Sequence, residues 1–107
     1  PRLYLSSGSA VKNILLRDIL YLERTLRKTR VCMRNSTETV TATPAELLKD
    51  VPEGTFIRCH QSYWVNYKHI AAMRKNEFVL SDGMQIPISR TFRGSAKAAF
   101  FSDMRAR

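Results

Sequence analysis

Apolar and polar residues alternate at every second position along most of the chain, which predicts β-strands rather than helices. The strand-like segments, in chain order, are RLYL at 2–5, VKNILL at 11–16, RDILYLE at 17–23, TRVCMR at 29–34, TETVTAT at 37–43, FIRCH at 56–60, IAAM at 70–73, EFVL at 77–80 and MQIPIS at 84–89. Short polar stretches separate them and predict turns at SSGS (6–9), Asn35-Ser36, Lys75-Asn76 and Ser81-Asp82-Gly83. This order of strands and turns predicts a mainly antiparallel β fold.

A helix is predicted over 44–50, because Thr43-Pro44-Ala45-Glu46 fits a capping box with proline at the first helical position. Pro52 and Gly54 then end it. The tail SAKAAFFSDM at 95–104 predicts a second short helix. Pro87 lacks an amide donor, so its strand is expected at a sheet edge or a bulge. The predicted fold is mainly β with one or two short helices, in one domain over residues 1–107.

The charge balance points to an anionic partner. Eighteen lysines and arginines against nine acidic residues leave a net charge of +9 on 107 residues. For a small domain this is a strong positive field, which favours nucleic acid first and an acidic membrane or polyanionic sugar second. No apolar run reaches the roughly 18 residues of a membrane span. We therefore expect a soluble domain whose partner is nucleic acid rather than a membrane, with a well-charged surface that has no such partner as the alternative.

The two cysteines bear on the cellular compartment of the protein, and the first residue bears on whether the chain is a fragment. Cys32 and Cys59 follow no spacing motif and are expected to be reduced in a cytoplasmic protein, with a disulfide between them left open. The chain begins with Pro1, not Met, and lacks a secretory leader pattern. We expect a fragment of a longer protein.

The stretch FIRCHQSYWVN at 56–66 contains the residue types of an active site, but their spacing argues against a catalytic or metal site. Cys59 and His60 are adjacent on a predicted strand, so their side chains point to opposite faces and cannot act as a nucleophile and base. The chain has neither the paired Cys or His spacing of a zinc site nor a glycine-rich phosphate loop. The sequence predicts no enzyme, no catalytic residue, no metal and no cofactor. His60 and Ser62 are expected to stabilise a turn.

Clusters of cations lie where predicted strands end. The segment RTLRKTRVCMR at 24–34 holds five basic residues and no acid, and further clusters occur at Lys68-His69, Arg74-Lys75 and Arg90–Arg93. They are either solvated loops or phosphate contacts. Asn66 and Arg90 have side chains that pair two hydrogen bonds with adenine and guanine respectively, although both also serve in turns and at strand ends.

The runs FIRCHQSYWVNYKHI at 56–70 and LSDGMQIPISRTF at 80–92 closely resemble the LytTR family of bacterial DNA-binding domains. The matching positions are Phe56, Arg58, His60, Ser62, Val65, Asn66, Ile70, Ser89 and Arg90. The upstream segment RDILYLE matches through Asp18, Ile19, Tyr21 and Glu23. The resemblance covers nearly the whole chain.

The resemblance implies stacked antiparallel sheets in an elongated body that reads duplex DNA from loops. It implies a transcriptional regulator with a receiver domain before this domain, as in two-component phosphorelay. It also implies recognition of promoter direct repeats, bending of the DNA and dimers on DNA. Carried over, the base contacts are Thr29, Asn66 and Arg90. From the cationic clusters and their loops, we expect phosphate contacts at Arg24, Arg27, Lys28, Arg30, Tyr67, Lys68, Ser89 and Arg93. Some family members have a histidine at the position of Thr29, so base reading there could pass to a neighbouring cation.

Two other functions fit the composition. An RNA-binding β-module would stack bases on Tyr63, Trp64 and Tyr67. An interaction domain would dock on an acidic protein or membrane surface, and its binding would follow charge without sequence preference.

Overall fold

The computed structural model describes residues 2–7 and 9–105, which form ten β-strands and two α-helices. The strands are β1 (Arg2–Ser7), β2 (Ala10–Leu15), β3 (Ile19–Thr25), β4 (Lys28–Met33), β5 (Thr37–Val40), β6 (Phe56–His60), β7 (Tyr63–Asn66), β8 (Ile70–Met73), β9 (Glu77–Leu80) and β10 (Gln85–Pro87). The helices are α1 (Pro44–Leu48) and α2 (Arg93–Arg105). Single 3-10 turns at Leu16–Asp18 and Tyr67–His69 lead into β3 and β8. The prediction of a mainly β fold with short helices is confirmed.

All strand pairs among the described residues are antiparallel and form three sheets. The central sheet has five strands in the order β5-β4-β3-β7-β6, and β1-β2 and β10-β9-β8 form the two smaller sheets. β10 lies at a sheet edge, as the missing amide of Pro87 requires. The body is elongated, with principal extents of 42 × 30 × 25 Å.

The central sheet packs on both faces, because its strands direct side chains into two separate cores. One face contributes Ile19, Leu22 and Val31 to a core shared with Leu3 and Leu5 of β1 and with the partly buried leucines of α1. The other face contributes Leu20, Cys32 and Val65 to a core shared with Phe78, Ile86 and Ala96. The sheets therefore stack in layers, as the resemblance implied.

Local predictions mostly agree with the structure. The Thr43 hydroxyl accepts from the Glu46 amide at 3.1 Å, which is the predicted cap, although α1 ends at Leu48 rather than at residue 50. Strand β1 continues through Ser7, and Gly8 of the predicted SSGS turn lies outside the described residues. The tail helix α2 begins earlier than predicted, at Arg93.

Cys32 and Cys59 are buried and unpaired, consistent with reduced thiols. Burial raises the pKa of Cys59 to about 12. Within residues 2–7 and 9–105, neither helix is long and apolar enough to cross a membrane.

Candidate nucleic-acid interface

Antiparallel register brings the β3–β4 turn, the β6–β7 turn and the end of β5 to one end of the central sheet. The Arg24 amide donates to the Ser62 carbonyl at 2.8 Å, which joins the first two turns. The Arg24 guanidinium donates to the Thr41 carbonyl at 3.1 Å, which adds the residues after β5. Two turns and the segment that follows β5 thus form one surface.

The segment before α2 reaches the same end of the molecule. The Ser89 amide donates to the Cys59 carbonyl at 2.8 Å, and the Ile88 amide donates to the Asn76 carbonyl at 2.8 Å. The segment therefore runs between the end of β6 and the β8–β9 turn, and Arg90, which follows directly, is exposed. We call this surface the basic end. It comprises the residues at 26–28, 61–62 and 74–76 and the segment 89–93.

The basic end carries an excess of positive charge. Arg27, Lys28, Lys75 and Arg90 are exposed there. Glu23, a carboxylate beside these cations, is already paired with Arg30 at 2.5 Å. Glu77 is likewise paired with Arg74 at 3.0 Å. Since the neighbouring carboxylates are occupied by other arginines, the exposed cations retain their charge for an anionic partner.

Thr29 does not face this surface, which argues against the base contact predicted for it. Its side chain is fully buried, its hydroxyl donates to the Ala42 carbonyl at 2.6 Å, and it accepts from Arg24 at 2.8 Å. The side chains exposed at this turn are Leu26, Arg27 and Lys28. Leu26 is 98% exposed and adopts a positive φ of 46°, which projects it from the tip.

Asn66 is also buried, which argues against the base contact predicted for it. Its side chain is 1% exposed. The amide nitrogen donates to the Leu16 carbonyl at 3.1 Å and the Ile19 carbonyl at 2.9 Å, and the oxygen accepts from the Lys68 amide at 3.1 Å. All the hydrogen-bonding groups of this side chain are engaged inside the protein, so a base edge cannot reach them.

Tyr67 and Lys68 lie with Asn66 at the opposite end of the central sheet. Asn66 pairs with Phe56 at the start of β6, whereas Tyr63 pairs with His60 next to the basic end. At about 3.4 Å per residue, the length of β7 separates these two ends by roughly 10 Å. The predicted DNA contacts are therefore not brought together: Arg27, Lys28 and Arg90 share the basic end, and Asn66, Tyr67 and Lys68 do not.

Four further predicted phosphate contacts have partners or burial that give them structural roles. Arg24 is half-buried and bridges Thr29, Thr41 and Ala42. Arg30 pairs with Glu23, which raises the pKa of the guanidinium. The Ser89 hydroxyl is buried. Arg93 donates to the Asn76 side chain at 2.6 Å. Their phosphate contacts stay predictions. Arg24 and Arg30 add charge to the field of the basic end while they stabilise its turns.

Sequence reasoning missed Gln61, which the fold places at the centre of the basic end. Gln61 is exposed at the tip of the β6–β7 turn. The turn is stabilised by His60, whose Nδ1 accepts from the Ser62 amide at 3.0 Å, as predicted. An exposed amide on a rigid turn can pair with adenine as asparagine does. The available signal was its place between His60 and Ser62, both predicted turn residues.

Arg58 connects the Gln61 turn to the Arg90 segment. Its guanidinium carbon lies 4.5 Å from the Trp64 ring centre and 4.7 Å from the Phe92 ring centre. The same guanidinium donates to the Gln61 carbonyl at 3.0 Å. Stacking a cation between two aromatic rings stabilises this arrangement. The backbone segments that carry Gln61 and Arg90, two exposed polar residues, are thus held next to each other.

Comparison with known proteins places the chain in a family. The family model described as LytTr DNA-binding domain matches residues 9–100. Among curated relatives, the sensory transduction protein LytT of Bacillus subtilis is 29% identical over 101 residues, covering 90% of this chain and 42% of that protein. The transcriptional regulatory protein NatR of the same organism is 27% identical over 104 residues, covering 94% of this chain and 40% of that protein. This chain therefore spans about two fifths of the length of these relatives.

A solved structure shares the fold. It is the LytTr DNA-binding domain of a putative methyl-accepting/DNA response regulator from Bacillus cereus, with a TM-score of 0.77 and 24% identity. The similarity covers 92% of this chain and 94% of that one. The family model spans most of the sequence, and the layered sheets agree with the solved fold. The chain belongs to the LytTr DNA-binding domain family.

Proposed function

We propose that this chain reads specific sites in duplex DNA through its basic end, as the output domain of a transcriptional regulator. The observation that carries the proposal is the convergence of the β3–β4 turn, the β6–β7 turn and the Arg90 segment on one cationic surface. DNA binding in transcription regulation follows from membership of the family. The residues that choose the site are proposed from the geometry.

Affinity comes from the exposed cations of the basic end. Arg27 and Lys28 project from the β3–β4 turn, and Lys75 lies in the β8–β9 turn. Cations that contact phosphates release condensed counterions, which makes binding strong at low salt and weak at high salt. These contacts set the position of the protein on the duplex and carry no sequence information of their own.

Site choice comes from Arg90 and Gln61. A guanidinium pairs two hydrogen bonds with guanine and an amide pairs two with adenine, each worth about 1–3 kcal/mol of discrimination. Both side chains are exposed, and both lie on segments connected through Arg58. A contact held in place before binding loses less conformational entropy when the complex forms.

We further propose the wider context that the family resemblance suggests. The natural sites are paired direct repeats, two copies bind them as a dimer, and binding bends the duplex, which adds recognition of DNA shape. A receiver domain precedes this domain in the cytoplasmic full-length protein. In support, the chain spans only 42% and 40% of LytT and NatR, whose names describe sensory transduction and transcriptional regulation.

The structure gives less support to an RNA-binding module. Such modules stack bases on exposed aromatic rings. Tyr63, Trp64 and Tyr67 are half-buried and pack against the two cores instead.

Competition binding with Arg90→Ala and Gln61→Ala tests the proposal. Each variant should weaken binding to the preferred site by about tenfold to hundredfold, from a loss of about 1–3 kcal/mol, while binding to random duplex changes little. Arg34→Ala is the matched control, because Arg34 is exposed at the far end of β4. Equal losses on specific and random DNA would contradict the assignment of base contacts.

A further inference from the structure

A cleft of about 560 Å³ lies between helix α2 and the β8–β9 turn. Its lining includes Met73, Lys75, Arg93, Lys97, Phe100 and Phe101. Arg93, Lys97 and Phe101 are spaced four residues apart, so they follow one another along the same face of α2. The hydrogen bond from Arg93 to the Asn76 side chain, 2.6 Å long, fixes the start of the helix against the turn.

The floor of the cleft is apolar and rigid. Met73 and Phe100 pack against the core beneath the central sheet. The Phe100 ring lies 5.8 Å from the buried Phe78 ring, and the Phe101 ring meets Phe100 edge-on at 5.5 Å. Phe101 is nevertheless 41% exposed. Apolar surface in a concave site gains free energy when a partner displaces water from it.

The rim of the cleft is cationic. Lys75 and Lys97 are exposed on opposite sides, one on the turn and one on the helix. Arg93 hydrogen-bonds a neutral amide, so its charge is not cancelled there. Arg74 is the lining cation with a carboxylate partner, Glu77. None of the described residues lining the cleft is acidic.

We infer that this cleft docks an acidic segment of a partner protein that carries an apolar anchor side chain. Carboxylates would meet Lys75 and Lys97, while the anchor would cover Phe101 and Met73. A DNA backbone would complement the charges of the rim but has no large apolar group to bury against the floor. A peptide with an apolar side chain would contact both the rim and the floor. The cleft shares Arg74, Lys75 and Arg93 with the basic end but includes neither Arg90 nor Gln61, so its Lys97 and Phe101 can be changed without touching the proposed base contacts.

Titration of the domain with a short synthetic peptide tests the inference without DNA. The probe alternates Glu with Leu and Phe, and two control peptides replace either every Glu with Gln or every apolar residue with Ser. We expect saturable amide shifts at Lys75, Lys97 and Phe101 in NMR spectra with the probe, and at least about tenfold weaker binding of either control.

Variants of the domain separate peptide binding from DNA binding. Lys97→Glu and Phe101→Ala should each weaken the probe by about tenfold or more. The matched controls are Lys68→Glu, an exposed lysine at the opposite end, and Tyr4→Ala, an aromatic residue that is 63% exposed. Both controls should bind the probe as the unchanged domain does. Phe101→Ala should retain specific DNA binding.

Three results would overturn the inference. One is the absence of saturable shifts, and another is equal binding of the probe and both control peptides. The third is a Lys97→Glu variant that binds the probe normally yet loses more DNA affinity than Lys68→Glu. That outcome would assign the cleft to the DNA backbone, and the proposed function would stand.

Discussion

The side-chain nitrogen of Asn66 lies 2.9 Å from the carbonyl oxygen of Ile19, which joins the end of β7 to the start of β3. A second bond to the Leu16 carbonyl includes the 3-10 turn that precedes β3. The residue is thus a structural link between segments almost fifty positions apart in sequence. It lies at the end of the sheet away from the basic end.

Replacing Asn66 should therefore affect stability rather than base reading. Asn66→Ala removes the side-chain donor from the Leu16 and Ile19 carbonyls and the acceptor from the Lys68 amide, and we expect the free energy of unfolding to fall by about 1–3 kcal/mol. Urea denaturation measures this loss, with Asn13→Ala, at an exposed strand position, as the control. Folded Asn66→Ala at low temperature should retain its preference for the specific site. Loss of that preference in a fully folded variant would restore Asn66 as a base contact.

Lys28 should contribute to affinity on every DNA sequence. Its exposed ammonium at the β3–β4 turn is placed for a phosphate, so Lys28→Ala should lower the slope of log K against log salt by about 1. Filter binding across a salt series measures the slope. Lys68→Ala should leave it unchanged, because Lys68 lies at the opposite end. If Lys68→Ala lowered the slope and Lys28→Ala did not, DNA would bind at the end of the sheet that carries Lys68, and the basic end would not be the DNA surface.

The buried thiol of Cys59 should make stability depend on pH only in the alkaline range. Burial raises its pKa from the ordinary value of 9.0 to about 12, so the folded state disfavours the thiolate. The protonated Cys59 thiol therefore makes its full contribution to the free energy of unfolding below pH 9. That contribution is lost as the pH rises towards 12, by up to about 1.4 kcal/mol per pH unit. Denaturation at pH 8 to 11 should show a shallower alkaline decline for Cys59→Ala than for the unchanged chain. Identical declines would mean that Cys59 does not ionise on unfolding.

Strands with one buried face, such as β6 and β10, were predictable because their buried residues alternate with exposed or partly exposed ones. β3 was predictable instead from its apolar run at 19–22, all of which is buried, and β7 was not predicted as a separate strand. The alternation rule also indicates that Thr29 is buried, because it lies two positions before Val31 and shares the buried face of that strand.

No local pattern indicates that Asn66 is buried. An asparagine at the end of a strand looks the same in sequence whether its side chain faces solvent or donates to backbone carbonyls. Only the tertiary fold brings the Leu16 and Ile19 carbonyls to it.

The composition of the basic end was also only partly predictable. Sequence located the cationic clusters at strand ends, but not which ends meet. The contacts from Ser89 to Cys59 and from Arg24 to Ser62 decide that Arg90 and Gln61 share a surface with the β3–β4 turn. Such contacts cross between strands and sheets, and no local pattern encodes them.

Selection of bound sequences from a random duplex library tests the central claim most directly, namely that Arg90 and Gln61 on the basic end choose the DNA sequence. The unchanged domain should enrich one defined site. Arg90→Ala should lose the preference at a guanine of that site and Gln61→Ala at an adenine, with the other positions retained. An unenriched library, or variants that enrich the same site as the unchanged domain, would contradict the claim.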